Sequence, residues 1–261
     1  MLSYGGGLVP GDIADISAHV QPNSRLGILT QGSTKIYKSP SPKDVSRQTL
    51  SVVVEDGASV LVIPDPIQPF RNSVYDQYQA FYLHENASLL MLDWVSEGRR
   101  TMGETWNFTS FKSKNEVWKV HAPRGSSSIK SSPQLIIRDN VRLNGAERQY
   151  TGTLCSRMDS MGVFGTLIIG GRLFHALGQF FLNEFNTQPR VGEKNWSKDI
   201  EIVKDESNLL WSATLTRGMV VVKFGAKDVD EARRWLRLMM EREGTIAAEF
   251  GPRYLLCLQD R

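Results

Sequence analysis

The chain has 261 residues, 41% of them hydrophobic and 23% charged, with a formal net charge of +3. That length can bury a substantial core, and the near-balanced charge gives no case for nucleic-acid binding, which needs cations gathered on one face. No apolar run reaches the ~18–20 residues of a membrane-spanning helix. Cys155 and Cys257 stand far apart with no CxxC pair, and the opening MLSYGGG lacks the basic and apolar regions of a secretory signal. The sequence therefore reads as soluble and cytoplasmic.

The first half reads as strands. Arg25–Thr30 and Thr34–Lys38 flank Gln31-Gly-Ser33. Gln48–Val54 and Ser59–Ile63 flank the turn Glu55-Asp-Gly57, which predicts a hairpin. Tyr78–Leu83, Ser88–Val95, Glu104–Phe108, Glu116–Val120 and Gln134–Arg138 follow as further short strands. Turn signals at this spacing predict layered β-structure. Pro40-Ser-Pro42 and Arg124–Ser128 read as exposed loops.

The second half changes character. From Arg172 the residues Leu173, Phe174, Leu177, Phe180, Phe181 and Phe185 follow helical spacing. Leu209–Leu215 and Met219–Phe224 predict a hairpin turning at Arg217-Gly218. Asp228 then caps a helix with Ala232, Trp235, Leu236, Met239 and Met240 on one side. The polar tract Asn186–Asp205 reads as a mobile insertion, and no internal repeat is evident. The expectation is one mainly β domain over 1–261, β-rich over 1–154 and mixed α/β with about two helices over 155–261.

The site chemistry is sparse. GGGLVPGD, Gly5 to Asp12, ends in neither a dinucleotide fingerprint nor GK[ST], and the strand-like Ile13–Ile16 follows it. It reads as a tight β turn whose glycines accept positive φ. His19, His84, His121 and His175 are scattered and form no zinc pattern, and no GxSxG elbow marks a nucleophile. More telling are single carboxylates in apolar strands: Asp93 in Leu89–Val95 and Asp139 closing Leu135–Asp139, with Glu104 following Gly98–Gly103. A half-buried carboxylate must be paired, hydrated or cation-bound. Salt bridges with Arg99, Arg100 or Arg138, or an outward strand face, would account for them. So would an internal polar path whose spaced oxygens hold a divalent ion weakly.

Four segments in order carry a family resemblance: GGGLVPGD, Thr30–Tyr37, Ile63–Phe70 and Glu97–Glu104. Together they resemble the UreD (UreH) urease accessory proteins, whose pattern runs GG-x-V-x-GD, T-x-x-x-x-K-x-Y, P-x-P-x-x-x-F and GR-x-x-x-GE. The resemblance implies a non-enzymatic nickel-insertion chaperone with helically wound β-sheets. It also implies binding to apo-urease and to a UreF-type protein, and through that to a UreG-type GTPase. Ni²⁺ would be in transit, with no tightly bound cofactor. By the same resemblance Asp12, Asp93 and Asp139 are candidates for the wall of a nickel tunnel. Glu104 and Arg99 are candidates for a pair shaping that wall, and Lys35 and Tyr37 for structure or partner contact. Several further strands precede the glycine motif in the family, so an N-terminally truncated member is expected, and the Asn186–Asp205 tract that lengthens the C-terminal half points to a eukaryotic, fungal one.

The soft demand of transit agrees with this. Clustered imidazoles or thiolates would trap Ni²⁺, whereas spaced carboxylates with water would let it pass. Two rivals stand beside it. One is a β-rich hydrolase using Asp12 and Glu104 as acid and base, which needs both in one cleft. The other is a metal-free protein-interaction domain.

Overall fold

A computed structural model describes residues 6–121, 132–145, 152–188 and 209–259. The predicted loop at Arg124–Ser128 lies outside these residues, as does nearly all of the polar tract after Asn186.

The first hundred residues wind as three coils. The first coil is β1 (Gly7–Leu8), β2 (Ile13–Val20) and β3 (Arg25–Leu29). The second is β4 (Thr34–Ile36), β5 (Ser46–Val54) and β6 (Ser59–Ile63). The third is β7 (Ile67–Pro69), β8 (Val74–Leu83) and β9 (Ser88–Ser96). Each strand pairs in parallel with its counterpart one coil away: β1 with β4 with β7, β2 with β5 with β8, and β3 with β6 with β9. Val20 thus aligns with Val54 and Val54 with Leu83. The coils repeat in structure, although no internal repeat is evident in the sequence.

The coiling corrects the predicted hairpin. β5 and β6 do not pair with each other but belong to different sheets, joined by the turn at Glu55–Ala58. Gly57, at φ 69°, lets the chain pass from one sheet to the other where a two-stranded ribbon had been expected. Likewise β3 pairs with β6, while β4 pairs with β1 and β7.

After β9 the chain leaves the coil. β10 (Ser110–Lys119) extends the β2-β5-β8 stack, and β11 (Gln134–Asn144) pairs antiparallel beside it, giving a five-stranded sheet. The predicted strand Glu104–Phe108 is instead irregular. Trp106 adopts φ 54° there, its indole N–H donating to the Met161 carbonyl at 2.8 Å. The short helix α1 (Leu154–Arg157) leads to β12 (Val163–Gly170), which pairs antiparallel with β9. Helix α2 (His175–Asn186) precedes the hairpin β13 (Leu209–Thr216) and β14 (Met219–Ala226), and β14 joins β12. The hairpin turns at Arg217-Gly218 as read from sequence, both with positive φ. In α3 (Val229–Glu243) the Asp228 carboxylate accepts the Glu231 N–H at 2.8 Å, the expected cap. Helix α4 (Thr245–Phe250) and a 3₁₀ segment, Pro252–Leu258, follow.

The molecule is thus mainly β, with two wound sheets and helices against the outer face of the nine-stranded one. Covering both faces explains why β6 and β9 are buried along their whole length. Leu90, Leu92, Trp94, Leu167 and Val222 meet Phe174, Leu177, Phe181 and Leu236 on the helical side. Between the sheets lie two apolar clusters. One is built on Leu50, Val52, Phe81, Met91, Val117 and Ile168, the other on Ile36, Tyr75, Val95, Phe108 and Phe111. What separates them is polar.

Candidate functional site: a polar layer between the sheets

Strand register makes this layer. Gln48 aligns with Gln77, and Gln77 with Ser113; one step along, Gln79 aligns with Asn115 and Asn115 with Asp139. The next inward row is Val52, Phe81, Val117 and Ile137, all apolar. Across the gap the nine-stranded sheet offers a matching row, since Asp93 aligns with Thr166 and Thr166 with Lys223. Period-two side-chain alternation aims these rows at each other.

Asp93 is the centre. Its Oδ1 accepts from the Gln77 amide at 2.9 Å, and its Oδ2 from the Ser113 hydroxyl at 2.6 Å and the Asn115 amide at 2.7 Å. Gln79 donates to Asn115 Oδ1 at 2.9 Å, and the Tyr75 hydroxyl donates to Gln77 Oε1 at 3.0 Å. Burial pushes the Asp93 carboxyl above its ordinary 3.8. The three donated hydrogen bonds oppose that shift, and the charge of Asp139 adds to it. Burial, followed by the nearby Asp93 charge, also holds the Tyr75 hydroxyl protonated far beyond the usual range.

Asp139 marks the rim. Thr166 donates its hydroxyl to Asp139 Oδ2 at 2.9 Å, and Lys223 reaches Asp139 Oδ1 at 2.5 Å and Thr166 Oγ1 at 2.7 Å. The Lys223 side chain is 36% exposed, so the layer meets solvent here. On the other side of Asp93 lies a cavity of about 40 Å³, room for a few waters. Gln48, Gln77, Gln79, Thr30, Asp65 and Asp93 are among its lining residues.

The structure brings Asp93 and Asp139 into one layer through Thr166. Asp12 lies elsewhere, before β2 at the opposite edge of the five-stranded sheet from β11. Its carboxylate accepts the Val9 N–H at 2.9 Å and so closes the glycine turn. That turn has a steric cause. A Cβ at Gly7 would strike the Lys35 carbonyl of the paired strand, and Gly6 and Gly11 take positive φ. Lys35 itself points outward from β4, while Tyr37 packs edge-on against Phe70 at 5.3 Å.

Arg99 and Glu104 form a bidentate pair, Nε to Oε2 at 3.0 Å and Nη2 to Oε1 at 2.5 Å, with the Arg99 guanidinium 4.0 Å over the Phe70 ring. The Arg99 hydrogen bonds hold the Glu104 carboxyl below its ordinary range, against a smaller opposing effect of burial. Glu104 and Asp12 are each committed to a structural partner, which leaves the acid–base pair of a hydrolase without support.

Sequence reasoning missed Gln77, Gln79, Ser113, Asn115, Thr166 and Lys223. Polar residues two apart, in phase with a following Phe81 or Val117, were the available signal. Among the described residues no three His, Cys, Asp or Glu side chains gather as a ready-made metal site, and no helix is long and apolar enough to cross a membrane.

Comparison with known proteins agrees on one family. The family model described as UreD urease accessory protein matches residues 1–252. A Schizosaccharomyces pombe protein named as an uncharacterized urease accessory protein ureD-like is 32% identical over 238 residues, 90% of this chain and 78% of that protein. Urease accessory protein 4 of Cryptococcus neoformans is 29% identical over 94% of this chain and 78% of its own length. Urease accessory protein D of Oryza sativa is 33% identical over 68% of this chain and 53% of its own length.

Proposed function

The chain belongs to the UreD urease accessory protein family, and from that premise we propose that it scaffolds urease maturation and passes Ni²⁺ along the polar layer between its sheets. The family is one of accessory proteins and not of catalysts. In this reading the chain works in the cytoplasm. It holds apo-urease and a UreF-type partner, which brings a UreG-type GTPase, and nickel is its cargo.

The observation that carries the proposal is the layer itself. One carboxylate, Asp93, is buried among neutral oxygen and amide groups, and another, Asp139, stands at the solvent rim. Oxygen donors spaced this way offer a divalent cation successive weak holds instead of one deep trap. Asp93→Ala tests it. Co-expression should give the same complex with apo-urease and the UreF-type partner, with urease of lower nickel content and activity. Unchanged activation would overturn the conduit role, and a wild-type chain that binds neither partner would overturn the scaffold.

A further inference from the structure

Strand β13 forms one border of the nine-stranded sheet. Among the described residues it pairs with β14 alone. The two-residue turn at Arg217-Gly218 makes Thr216 and Met219 the closing pair of the hairpin, so Thr216, Thr214 and Ser212 turn their backbone groups towards β14. The backbone N–H and C=O groups of Trp211, Ala213 and Leu215 point the other way, out of the sheet. The strand is firmly seated, since the Trp211 ring lies 5.2 Å from that of Trp235 and 5.4 Å from that of Phe185. Its sequence nevertheless carries none of the devices that protect an edge. Leu209–Thr216 holds no charge, no proline and no register shift against β14, and Leu210 and Leu215 are 71% and 56% exposed. Both borders of the five-stranded sheet are charged by contrast, β2 at Asp15 and β11 at Arg138, Asp139 and Arg142.

We propose that this border is a self-association surface, on which β13 of a second copy of this chain lies antiparallel about a two-fold axis and joins the two nine-stranded sheets into one. Backbone groups along an open edge are satisfied by another strand, and β13 is complementary to itself. A two-fold antiparallel pair sets each residue opposite one on the same face of the sheet. With Ala213 on the axis, Trp211 stands opposite Leu215 of the second copy, and Ser212 opposite Thr214. The outward backbone groups of Trp211, Ala213 and Leu215 then bond across the axis. Leu215 gains an aromatic neighbour, and the exposed Leu210 is set beside Thr216. Because Leu209–Thr216 is uncharged, self-pairing brings no like charges together. The contact is one strand wide, short of the ~1,200 Å² of a stable interface, so the dimer is weak and populated at ~100 μM. The surface does not rest on the nickel-transit reading.

The test uses the purified chain, without urease or nickel. Sedimentation velocity is measured from ~1 to ~300 μM for wild type, Leu215→Lys and Leu238→Lys. Leu238 serves as the control because it is a leucine of similar exposure, 58%, on helix α3. Wild type and Leu238→Lys should pass from monomer to dimer over this range, and Leu215→Lys should raise the dissociation constant at least roughly tenfold, since an edge lysine opposes strand addition. A monomer throughout, or an equal loss in both lysine variants, would overturn the proposal and leave the edge to a strand of another protein. Cross-linking supplies a second measurement. The exposed thiol Cys155 is first removed as Cys155→Ser. On that background Ser212→Cys/Thr214→Cys should form a disulfide-linked dimer under mild oxidation, because opposed residues stand within ~5.5 Å at Cα. The background alone should not, and adding Leu215→Lys should suppress the link. No link in the double-cysteine variant, or one undiminished by Leu215→Lys, would also overturn the proposal. Unchanged urease activation by Asp93→Ala would bear only on the conduit.

Discussion

Asn115 bonds to Asp93 inside the sandwich, and the next residue along β10, Glu116, is buried on the sheet's outer face. Two carboxylates thus meet one strand from opposite sides, and their environments push them apart. Asp93 receives only neutral donors, so burial wins and its carboxyl rises. Burial also pushes Glu116 upward, but Lys114, the Tyr78 hydroxyl and Arg138 outweigh it and bring the carboxyl down to about 2. The interior carboxylate is held by neutral donors alone, and the exterior one by two cations and a phenol.

Glu116 should make the fold acid-sensitive in a defined window. Its lowered carboxyl contributes stability that is fully present above the ordinary 4.5 and lost as pH falls through about 2. The side chain is 2% exposed, while Lys114 and Arg138 are 41% and 51% exposed, so screening reduces the gain to about 2 kcal/mol. Urea titrations of wild type and Glu116→Gln should differ by that amount at pH 7 and converge towards pH 2. A gap that does not change with pH would show that packing, and not charge, holds Glu116.

Asp93 should show the opposite sign. A carboxyl raised above 3.8 binds protons more tightly in the folded chain, so its burial destabilises the fold increasingly as pH rises past that value. Relative to Asp93→Asn, wild type should lose stability from about pH 4 upward. Any hydrogen-bond mismatch created by the amide adds an offset that is constant with pH. Equal pH slopes for the two proteins would refute a raised Asp93 carboxyl.

The same residues explain what the sequence could and could not disclose. Ser59–Ile63 and Ser88–Val95 were legible because both faces of their sheet are covered, leaving near-continuous apolar runs. Asp93 was legible as an anomaly in such a run. Its partners were not. The strands read as Tyr78–Leu83 and Glu116–Val120 are in fact Val74–Leu83 and Ser110–Lys119. The stretches left outside those strands contain Gln77, Ser113 and Asn115, which belong to the polar layer. Inward polar side chains break the alternation that signals a strand, so the site concealed the element that carries it. Asp65 and Arg233 are 168 residues apart, and only the fold brings them together.

Arg99 and Glu104 test how much the fork beside Phe70 contributes to the fold. Glu104 is nearly buried and takes two parallel hydrogen bonds from one guanidinium. Arg99→Lys keeps the charge but loses the fork and the flat contact with Phe70, which should lower the midpoint of urea unfolding. Arg99→Ala should cost more, because it leaves Glu104 buried and unpaired. Equal stability of Arg99→Lys and wild type would reduce the interaction to simple charge pairing.

Gly27 offers a test of how the C-terminal segment is seated. A Cβ there would run into the Tyr254 ring, which packs 5.5 Å from Phe250 at the start of the Pro252–Leu258 segment. In that segment Leu255, Cys257 and Leu258 are buried, and the Cys257 thiol donates to the Thr30 carbonyl at 3.2 Å. Cys155 is exposed. A thiol reagent should therefore label wild type rapidly at Cys155 and slowly at Cys257, since access governs the rate. Gly27→Ala should displace Tyr254 and make both thiols fast. Gly27→Ala/Tyr254→Ala, with the clashing ring removed, should restore slow labelling of Cys257. If Gly27→Ala leaves Cys257 protected, the ring swings aside without carrying the segment, and the C-terminus is held by its own buried side chains instead of by the fit at Gly27.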